Sequence, residues 1–358
     1  MAEADETSNR LSAYLGGDVA NMRILASGWE TKVFEFALAT RSRKAPEAPV
    51  ATPLVLRFYE GSLADEKGRR ENLTLRALTE LGYPAPQPYL YESDHTPLGA
   101  PFLVMERITG NPLFTTKHFR SAFKTFSLGF AGFVRAQARL HRVVAAQPAL
   151  LNLPPAFTIA GKPEATPLLE RILAIISERI EHGPLPGLRG ALERLRGATA
   201  RFAAAPAVMV HMDYHPQNVI VQGMRVNGVV DWVSADRGDR HLCCATTAVI
   251  LSTTTMERPR WMRENIAGNS LRRLFASLYI PLYHALARME WDRFRYCQAV
   301  AALHRLSTFG MMLARGPESV GYRPEAIQNV TPAVVRLLSR YASRKSRVPV
   351  SIDTETEA

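Results

Sequence analysis

The chain has 358 residues, 47% of them hydrophobic and 22% charged, which is typical of a globular protein that buries a sizeable core in one large domain or two coupled lobes. No apolar run reaches the roughly 18 residues of a membrane-spanning helix, the N-terminus lacks a signal-peptide pattern, and the three cysteines fit neither a disulfide framework nor a zinc spacing, so we expect a reducing, cytoplasmic location. The net charge of +11 comes from arginines spread through helical stretches rather than from one basic block, which disfavours a nucleic-acid partner.

The N-terminal part alternates β-rich runs with one amphipathic helix. The runs contain branched and aromatic residues, and the helical leucine spacing stops at Gly82 and Pro84. We predict, in chain order, a mobile polar tail, a hairpin, a strand, a helix and a second strand, at residues 1–10, 21–39, 54–59, 66–81 and 101–108.

Beyond residue 110 long helical patterns dominate and continue to about residue 342. A stretch rich in Ala and Pro at 145–166 is predicted to be a connecting loop. The clearest helices are predicted at 123–141, 168–180 and 188–202, and a compact patch of short strands at 208–210, 218–221 and 229–232.

The most informative segment runs from His211 to Asn218, between two apolar runs. It reads His-Met-Asp-Tyr-His-Pro-Gln-Asn, and a second aspartate, Asp231, follows thirteen residues later in Val-Val-Asp-Trp. Isolated Asp and Asn residues usually lie in turns. Their occurrence together with the histidine, in this order and at this spacing, indicates a catalytic centre.

These are the residue types that phosphoryl transfer requires, because the protein there mainly positions groups and neutralises charge. One carboxylate must orient the attacking hydroxyl and accept its proton, which suits Asp213. Oxygen ligands must hold Mg²⁺ across the phosphates, which suits Asn218 and Asp231. We expect His211 to hold the catalytic loop by hydrogen bonds. Structural roles are favoured for two further histidines, His215 and His241.

The segment resembles the Brenner-type motif of the aminoglycoside phosphotransferase family, relatives of choline kinase in the protein-kinase-like superfamily. That family typically reads H-G-D-x-H-x-x-N-x-x-x and then I-D-W, against H-M-D-Y-H-P-Q-N-V-I-V and V-D-W here. The resemblance spans roughly residues 20–320. It implies an ATP- and Mg²⁺-dependent small-molecule kinase, with GTP as an alternative nucleotide. By the same resemblance Asp213 is the catalytic base, and Asn218 and Asp231 bind magnesium.

The order of elements predicts an α+β, bilobal protein-kinase-like fold, with a small β-rich N-lobe and a larger, mainly helical C-lobe. We place the nucleotide-binding N-lobe at residues 1–107 and end it at a hinge strand. The C-lobe, with the catalytic loop and the substrate-binding helices, takes residues 108–343, and residues 344–358 are expected to form a flexible tail.

The N-lobe supplies the candidates for phosphate binding. Ser27 and Gly28 lie in a segment, A-S-G-W-E-T-K-V-F, that resembles the family's glycine-containing phosphate loop, where a flexible turn lets backbone N–H groups approach the phosphates. Arg57 lies mid-strand where the superfamily places the cation that grips the phosphates. Glu71 is its expected ion-pair partner, in a segment that matches the family's R-E-x-x-x-L-x-x-L pattern.

The strand at 102–110 resembles the family hinge, F-x-V-M-E-R-x-x-G. Backbone groups from Glu106 to Ile108 are expected to contact adenine, and Met105 to pack beside it. The same pattern is compatible with a plain core strand, because a hinge strand also packs in the core.

The segment after Asp231 departs from the family's W-E-x-A-x-x-G-D-P-x-x-D-L-A. Val233 replaces the glutamate, Arg240 the proline, and Cys243 the later aspartate, which usually supports the helical lobe. These departures put the local architecture in question more than the chemistry. They are the support for one alternative, a catalytically silent nucleotide-binding scaffold.

Only the charge of the C-terminal part of the sequence indicates which class of acceptor binds. Residues 241–345 contain fifteen Arg or Lys against six Asp or Glu, whereas a site for polycationic aminoglycosides should be lined with carboxylates. A neutral or anionic alcohol is therefore favoured. Four aromatic residues fit acceptor contacts or core positions: Tyr279, Tyr283, Trp291 and Phe294. Two other functions have less support, since a nucleic-acid-binding module would rest on charge alone and a protein kinase would carry D-F-G and A-P-E signatures.

Overall fold

The computed structural model describes residues 2–27, 31–114, 119–143, 147–150, 152–161, 163, 165–202, 205–254 and 266–352. Its helices are α1 (Ala2–Leu15), α2 (Ala64–Glu80), α3 (Phe119–Leu140), α4 (Leu168–His182), α5 (Arg189–Ala198), α6 (Arg240–Thr253), α7 (Ile266–Leu286), α8 (Trp291–Arg315) and α9 (Pro332–Ser346). Its strands are β1 (Val19–Ser27), β2 (Thr31–Leu38), β3 (Pro53–Tyr59), β4 (Pro88–Glu92), β5 (Phe102–Glu106), β6 (Asn111–Pro112), β7 (Val208–Val210), β8 (Val219–Gln222), β9 (Arg225–Val229) and β10 (Asp236–Gly238).

The N-terminal region is an antiparallel sheet with strand order β1-β2-β3-β5-β4. The predicted hairpin is confirmed as β1 and β2, and the two predicted strands as β3 and β5. The predicted helix is confirmed as α2, which packs against β3, β4 and β5. This part of the fold follows from local patterns of branched residues and leucines.

Alternation along β3 decides which side chains face the helical part of the molecule. Successive side chains of a strand point to opposite faces, so Leu54 and Leu56 enter a core that β3 shares with α1. Val55 and Tyr59 belong instead to the larger core that continues into the helical part. Arg57 shares their face and is only 5% exposed. The pleat therefore directs its guanidinium into the protein.

The N-terminal segment corrects a prediction. Residues 1–10 do not form a mobile tail, because the chain is helical from Ala2 onward. Ala4, Leu11 and Leu15 are buried against the N-terminal sheet. Their spacing of seven and four residues places them on one narrow face of a helix whose other positions are mostly polar. The segment is therefore a helix packed on the sheet, although its composition is largely polar.

The C-terminal tail is also shorter than predicted. Helix α9 runs to Ser346, and the chain then returns so that Val350 and Ile352 are buried in the main core. The Ser343 hydroxyl stabilises this reversal of the chain, because it accepts a hydrogen bond from the N–H of Val350 at 2.9 Å.

The remaining described residues form a largely helical C-terminal part around α8, which packs against α4, α6 and α9. The helices predicted from residues 123, 168 and 188 are confirmed as α3, α4 and α5. Two small sheets, β6-β8-β9 and β7-β10, lie between this helical part and the N-terminal sheet. None of the helices described is both long enough and apolar enough to cross a membrane.

The four aromatic residues that fit acceptor contacts in the sequence belong mostly to the core. Tyr279 and Tyr283 are fully buried and Phe294 is 4% exposed, whereas Trp291 is exposed. The hydroxyl of Tyr283 lies 2.7 Å from Nδ1 of His141. Core packing, the alternative left open by the sequence, is therefore correct for three of the four.

We expect the fold to lose stability as the pH falls below about 6.5. Burial lowers the pKa of His141 to about 3 and also lowers the pKa of His211, so both are neutral in the folded chain. Unfolded, they bind protons below about pH 6.5, and the free energy of unfolding should fall by up to about 1.4 kcal/mol per pH unit for each.

Urea unfolding at about pH 7.5, 6 and 5 measures this slope. His141→Gln keeps a hydrogen-bonding group for Tyr283 and should reduce the slope. An identical slope in wild type and His141→Gln would contradict the assignment.

Candidate active site

The catalytic loop connects β7 to β8, and His211 is its fully buried first residue. Its Nε2 lies 3.0 Å from the carbonyl oxygen of Val230, and its Nδ1 accepts a hydrogen bond from the N–H of Asp213 at 3.3 Å. Since a carbonyl only accepts, Nε2 carries the proton of a neutral imidazole. His211 therefore joins the loop to the segment before Asp231 and orients the backbone of Asp213.

Asp213 lies at the open side of the loop, with 40% of its side chain exposed. Its Oδ2 is 3.4 Å from Nε2 of His215, whose Nδ1 accepts the N–H of Gln217 at 3.3 Å. Partial burial opposes the charge of Asp213, but His215, His211 and Arg305 outweigh it and hold its pKa below the usual range. The carboxylate is therefore ionised at neutral pH and can accept a hydrogen bond from a hydroxyl.

Asn218 closes the loop. Its side-chain nitrogen donates to the backbone oxygen of Asp213 at 3.0 Å and lies 3.5 Å from Oδ2 of the same residue. The side-chain oxygen of Asn218 accepts no hydrogen bond from the residues described here, so it is available as a ligand. The turn between His211 and Asp213 places Met212 at a φ of 59°. This left-handed conformation costs a residue with a Cβ about 1–2 kcal/mol, and the resembling family has glycine there.

Asp231 lies two residues beyond β9 and has a φ of 69°. This corrects the strand predicted at 229–232, because β9 occupies residues 225–229 and the chain has left the extended conformation at Asp231. The turn leaves 34% of the Asp231 side chain exposed. Asp and Asn are among the residues that tolerate this conformation best.

Arg57 joins Asp231 to the N-terminal sheet. Its Nη2 lies 2.6 Å from Oδ1 of Asp231, and its Nε lies 3.2 Å from Oε2 of Glu71, so the predicted ion pair is present. Glu71 is 1% exposed and also accepts hydrogen bonds from the Tyr59 hydroxyl at 2.6 Å and the Trp232 N–H at 2.9 Å. Burial opposes the charge of Arg57, but the two carboxylates outweigh it and raise its pKa. Strand β3, helix α2 and the segment after β9 thus meet at one ionic centre.

The predicted phosphate loop is only partly described. Ser27 is the last residue of β1 and pairs with Lys32 of β2. Gly28 lies outside the described residues. The backbone up to Ser27 and from residue 31 onward therefore belongs to the hairpin, and the phosphate-binding role of Ser27 and Gly28 stays a prediction.

The predicted hinge begins in β5. Met105 is buried in the main core, and the N–H of Glu106 is already used, because it donates to Gln87 O at 2.8 Å. Ile108 is buried against Gly228 of β9. Its N–H makes no hydrogen bond with any described residue. The N–H of Ile108 is therefore unoccupied by the described residues whereas that of Glu106 is not, and a contact of this segment with adenine stays a prediction.

The departures after Asp231 leave the local architecture in place. Asp239 caps α6 by accepting the N–H of His241 at 2.8 Å and pairs with Arg293 at 3.0 Å. Cys243 is fully buried, and burial raises the pKa of its thiol. Its Sγ accepts a hydrogen bond from Nε2 of Gln137 at 3.5 Å. The cysteine is an inert core residue, and His241 has the structural role that was favoured for it.

Two residues at the site were not proposed from the sequence. The favoured role of His215 was structural, yet its Nε2–H faces the Asp213 carboxylate. The signal that could have found it is the second histidine of the H-x-D-x-H motif. Arg305, on α8, acts on the same carboxylate electrostatically. No local motif marks it, because its proximity to Asp213 depends on how α8 packs.

The donors fit magnesium better than a transition metal. No group of three or more His, Cys, Asp or Glu side chains capable of holding a metal occurs in the part of the chain that is described. Magnesium usually takes one or two protein oxygens and completes its shell with phosphate and water. The side-chain oxygens of Asn218 and Asp231 are such donors.

Comparison with known proteins agrees with this chemistry. The family model for the phosphotransferase enzyme family matches residues 21–274. No curated protein sequence is significantly similar to the chain. Among solved structures, a thermostable mutant of aminoglycoside phosphotransferase APH(4)-Ia has a TM-score of 0.60 and 14% identity, with 95% of this chain and 98% of that chain covered. A macrolide 2'-phosphotransferase type I has a TM-score of 0.58 and 13% identity, with 99% and 98% covered.

A third similar structure is the macrolide 2'-phosphotransferase MphH from Brachybacterium faecium, with a TM-score of 0.54, 16% identity and 93% and 98% of the two chains covered. At these identities the likeness shows the fold alone, an antiparallel N-terminal sheet followed by a largely helical C-terminal part. The family match extends over most of the chain, and the chain belongs to the phosphotransferase enzyme family.

Proposed function

We propose that the chain is an ATP- and Mg²⁺-dependent kinase that transfers the γ-phosphate to a hydroxyl of a small molecule, with Asp213 as the catalytic base. The observation that carries the proposal is the ionised, accessible carboxylate of Asp213. One buried imidazole, His211, orients its backbone and at the same time holds the segment that leads to Asp231. His211 thus positions both the proposed base, Asp213, and the segment that carries the proposed metal ligand, Asp231.

In this mechanism Asp213 accepts a hydrogen bond from the acceptor hydroxyl and directs its oxygen at the γ-phosphorus. A bond forms between these two atoms, the bond from the γ-phosphorus to the β–γ bridging oxygen breaks, and the hydroxyl proton passes to Asp213. Asn218 and Asp231 would hold magnesium, which would supply positive charge to offset that of the phosphates. The His215 N–H keeps the carboxylate in place before the acceptor arrives.

Arg57 is the proposed phosphate-binding cation of the N-terminal part. The ion pair with Glu71 fixes the guanidinium, so its N–H donors are partly oriented before nucleotide binds. Two similar structures, of aminoglycoside phosphotransferase APH(4)-Ia with TM-scores of 0.54 and 0.55, are ternary complexes of hygromycin B with ADP or AMP-PNP. They support an adenine nucleotide here, with GTP as the alternative.

The alternative of a catalytically silent scaffold receives no added support from the segment after Asp231. That alternative rested on the altered segment after Asp231, and the helix cap at Asp239 and the burial of Cys243 show that the segment is packed without disturbing the catalytic loop. Asp213, Asn218 and Asp231 are all present. An active enzyme accounts for them more simply.

The nucleotide site is tested by the melting temperature with and without Mg²⁺ and AMP-PNP. Nucleotide at about 100 times its dissociation constant should stabilise the fold by about 2.7 kcal/mol, which is a shift of a few degrees. Asp231→Asn keeps a residue that tolerates the left-handed turn and should abolish the magnesium-dependent part of the shift.

The matched control is Asp65→Asn, because Asp65 is an exposed carboxylate of α2. It should respond to nucleotide like the wild type, and the GTP analogue measured in parallel ranks the two bases. A full magnesium-dependent shift in Asp231→Asn, or none in the wild type, would contradict the proposed site.

A further inference from the structure

The chain on either side of Asp231 is held by contacts from two different parts of the fold. Before Asp231, the catalytic loop fixes Val230, whose N–H donates to the backbone oxygen of Asn218 at 2.9 Å and whose carbonyl oxygen lies 3.0 Å from Nε2 of His211. After Asp231, the contacts come from helix α2 of the N-terminal part. The position of Asp231 therefore depends on α2 as well as on the catalytic loop.

Helix α2 makes its contacts through two successive buried residues. Glu71 accepts the N–H of Trp232 at 2.9 Å. Arg70, which is 5% exposed, donates from Nη1 to the backbone oxygen of Val233 at 2.7 Å. Because Arg70 and Glu71 are neighbours on one helix, the N–H of residue 232 and the carbonyl of residue 233 are held together and cannot shift independently.

Asp231 requires this support because of its backbone conformation. Its φ of 69° lies in the left-handed region, which residues with a Cβ keep only where surrounding contacts determine it. If the backbone after Asp231 were released, this residue could return to the extended conformation of β9. Its carboxylate would then leave its present position.

The contact from Arg70 is well suited to hold the backbone. A hydrogen bond from an ionised donor is stronger than one between neutral groups. Its acceptor is a main-chain oxygen, so the contact does not depend on which side chain occupies position 233. Arg70 thus fixes the chain two residues beyond Asp231, where the catalytic loop makes none of the contacts described for Val230.

We propose that Arg70 is a positioning residue for the magnesium ligand Asp231. This inference rests on the proposed phosphotransferase function, in which Asn218 and Asp231 hold the metal beside the nucleotide. Arg70 acts through the backbone of Val233 rather than by touching the metal. Residues that orient metal ligands in this way matter for the metal itself, because replacing them typically lowers metal affinity or activity about tenfold to 100-fold.

The test is calorimetric titration of AMP-PNP into the protein, once with excess Mg²⁺ and once with EDTA, at one ionic strength. The ratio of the two dissociation constants measures what the metal contributes to nucleotide binding. Both constants come from the same variant, so a general loss of nucleotide affinity cancels in the ratio. Arg70→Met should lower the ratio about tenfold, or to one if the wild-type ratio is below ten, and should leave the affinity in EDTA nearly unchanged.

Two variants serve as controls. Arg70→Lys keeps a long side chain with a charged donor and should retain most of the wild-type ratio. Arg76→Met removes the same charge from an exposed position of α2 and should leave the ratio unchanged. If Arg70→Met does not fold, Arg70→Gln takes its place, since the shorter amide stays polar but does not supply the charged donor.

A wild-type ratio in the Arg70→Met or Arg70→Gln variant would overturn the inference, and the proposed metal site would stand. Equal losses of AMP-PNP affinity with Mg²⁺ and with EDTA give that same result and would assign Arg70 a purely structural role. Equal AMP-PNP affinity with and without Mg²⁺ in the wild type would overturn the proposed metal site together with the inference.

Discussion

Replacing Asp213 with asparagine should lower kcat for phosphoryl transfer by about 10²- to 10⁴-fold. Asparagine has nearly the same shape, and its side-chain oxygen can still face His215. It cannot accept the proton of the acceptor hydroxyl, so the change removes the base from the transition state. The affinity for Mg²⁺ and AMP-PNP should stay nearly unchanged, because Asn218 is held mainly by the backbone oxygen of residue 213, which the substitution keeps.

The control for this variant is Asp292→Asn, which neutralises an exposed carboxylate at the start of α8. It should turn over like the wild type. Turnover by Asp213→Asn within a few-fold of the wild type would remove Asp213 from the role of base. Equal losses of turnover and nucleotide affinity would instead assign it a structural role.

Replacing Arg57 with methionine should lower the free energy of unfolding by about 3–5 kcal/mol, the cost of leaving a buried charge without its partner. Glu71 is the charge left behind, since its side chain is 1% exposed and cannot regain water. Asp231 loses the same partner but is about one-third exposed and is solvated instead. Urea unfolding of the nucleotide-free protein measures the difference.

Two further variants isolate the cause. The double variant Arg57→Met with Glu71→Gln also removes the buried negative charge, so it should be more stable than Arg57→Met alone. Arg23→Met breaks an exposed ion pair with Glu35 and should cost less than about 1 kcal/mol. If the single Arg57 variant were as stable as the Arg23 variant, the buried centre would not support the fold as described.

The parts of the site that could be predicted are those encoded in short stretches of chain. His211, Asp213 and Asn218 lie within one loop, and their chemistry is specific enough to identify the loop between two strands. The Arg57–Glu71 pair was also predictable, because a strand and the following helix carry it in a recognisable pattern. The structure places these two side chains 3.2 Å apart.

The long-range contacts could not be predicted in this way. Arg57 pairs with Asp231, which is distant in the chain, and this contact exists because β3 directs residue 57 toward the helical part. Arg305 of α8 acts electrostatically on Asp213, which lies in a loop distant in the chain. Neither interaction has a periodic or local signature, since each depends on the relative placement of separate elements.

The errors at the ends of the chain have a different cause. The low hydrophobicity of residues 1–10 predicted a mobile segment. Three apolar residues on one helical face nevertheless suffice to dock α1 on the N-terminal sheet. Propensity describes an isolated segment, whereas tertiary packing supplies most of the stability of a surface helix.

The strand predicted at 229–232 ends early for a local reason, the left-handed conformation of Asp231.

Transfer of the γ-phosphate from ATP to an alcohol, followed with radiolabelled ATP and magnesium, tests the central claim most directly. The panel should pair each hydroxy acid with its amide and each sugar phosphate with its free sugar, so that only charge differs within a pair. We predict a labelled phosphate ester with wild type, absent without magnesium and reduced at least about 100-fold in Asp213→Asn. Equal transfer by wild type and Asp213→Asn would contradict the account.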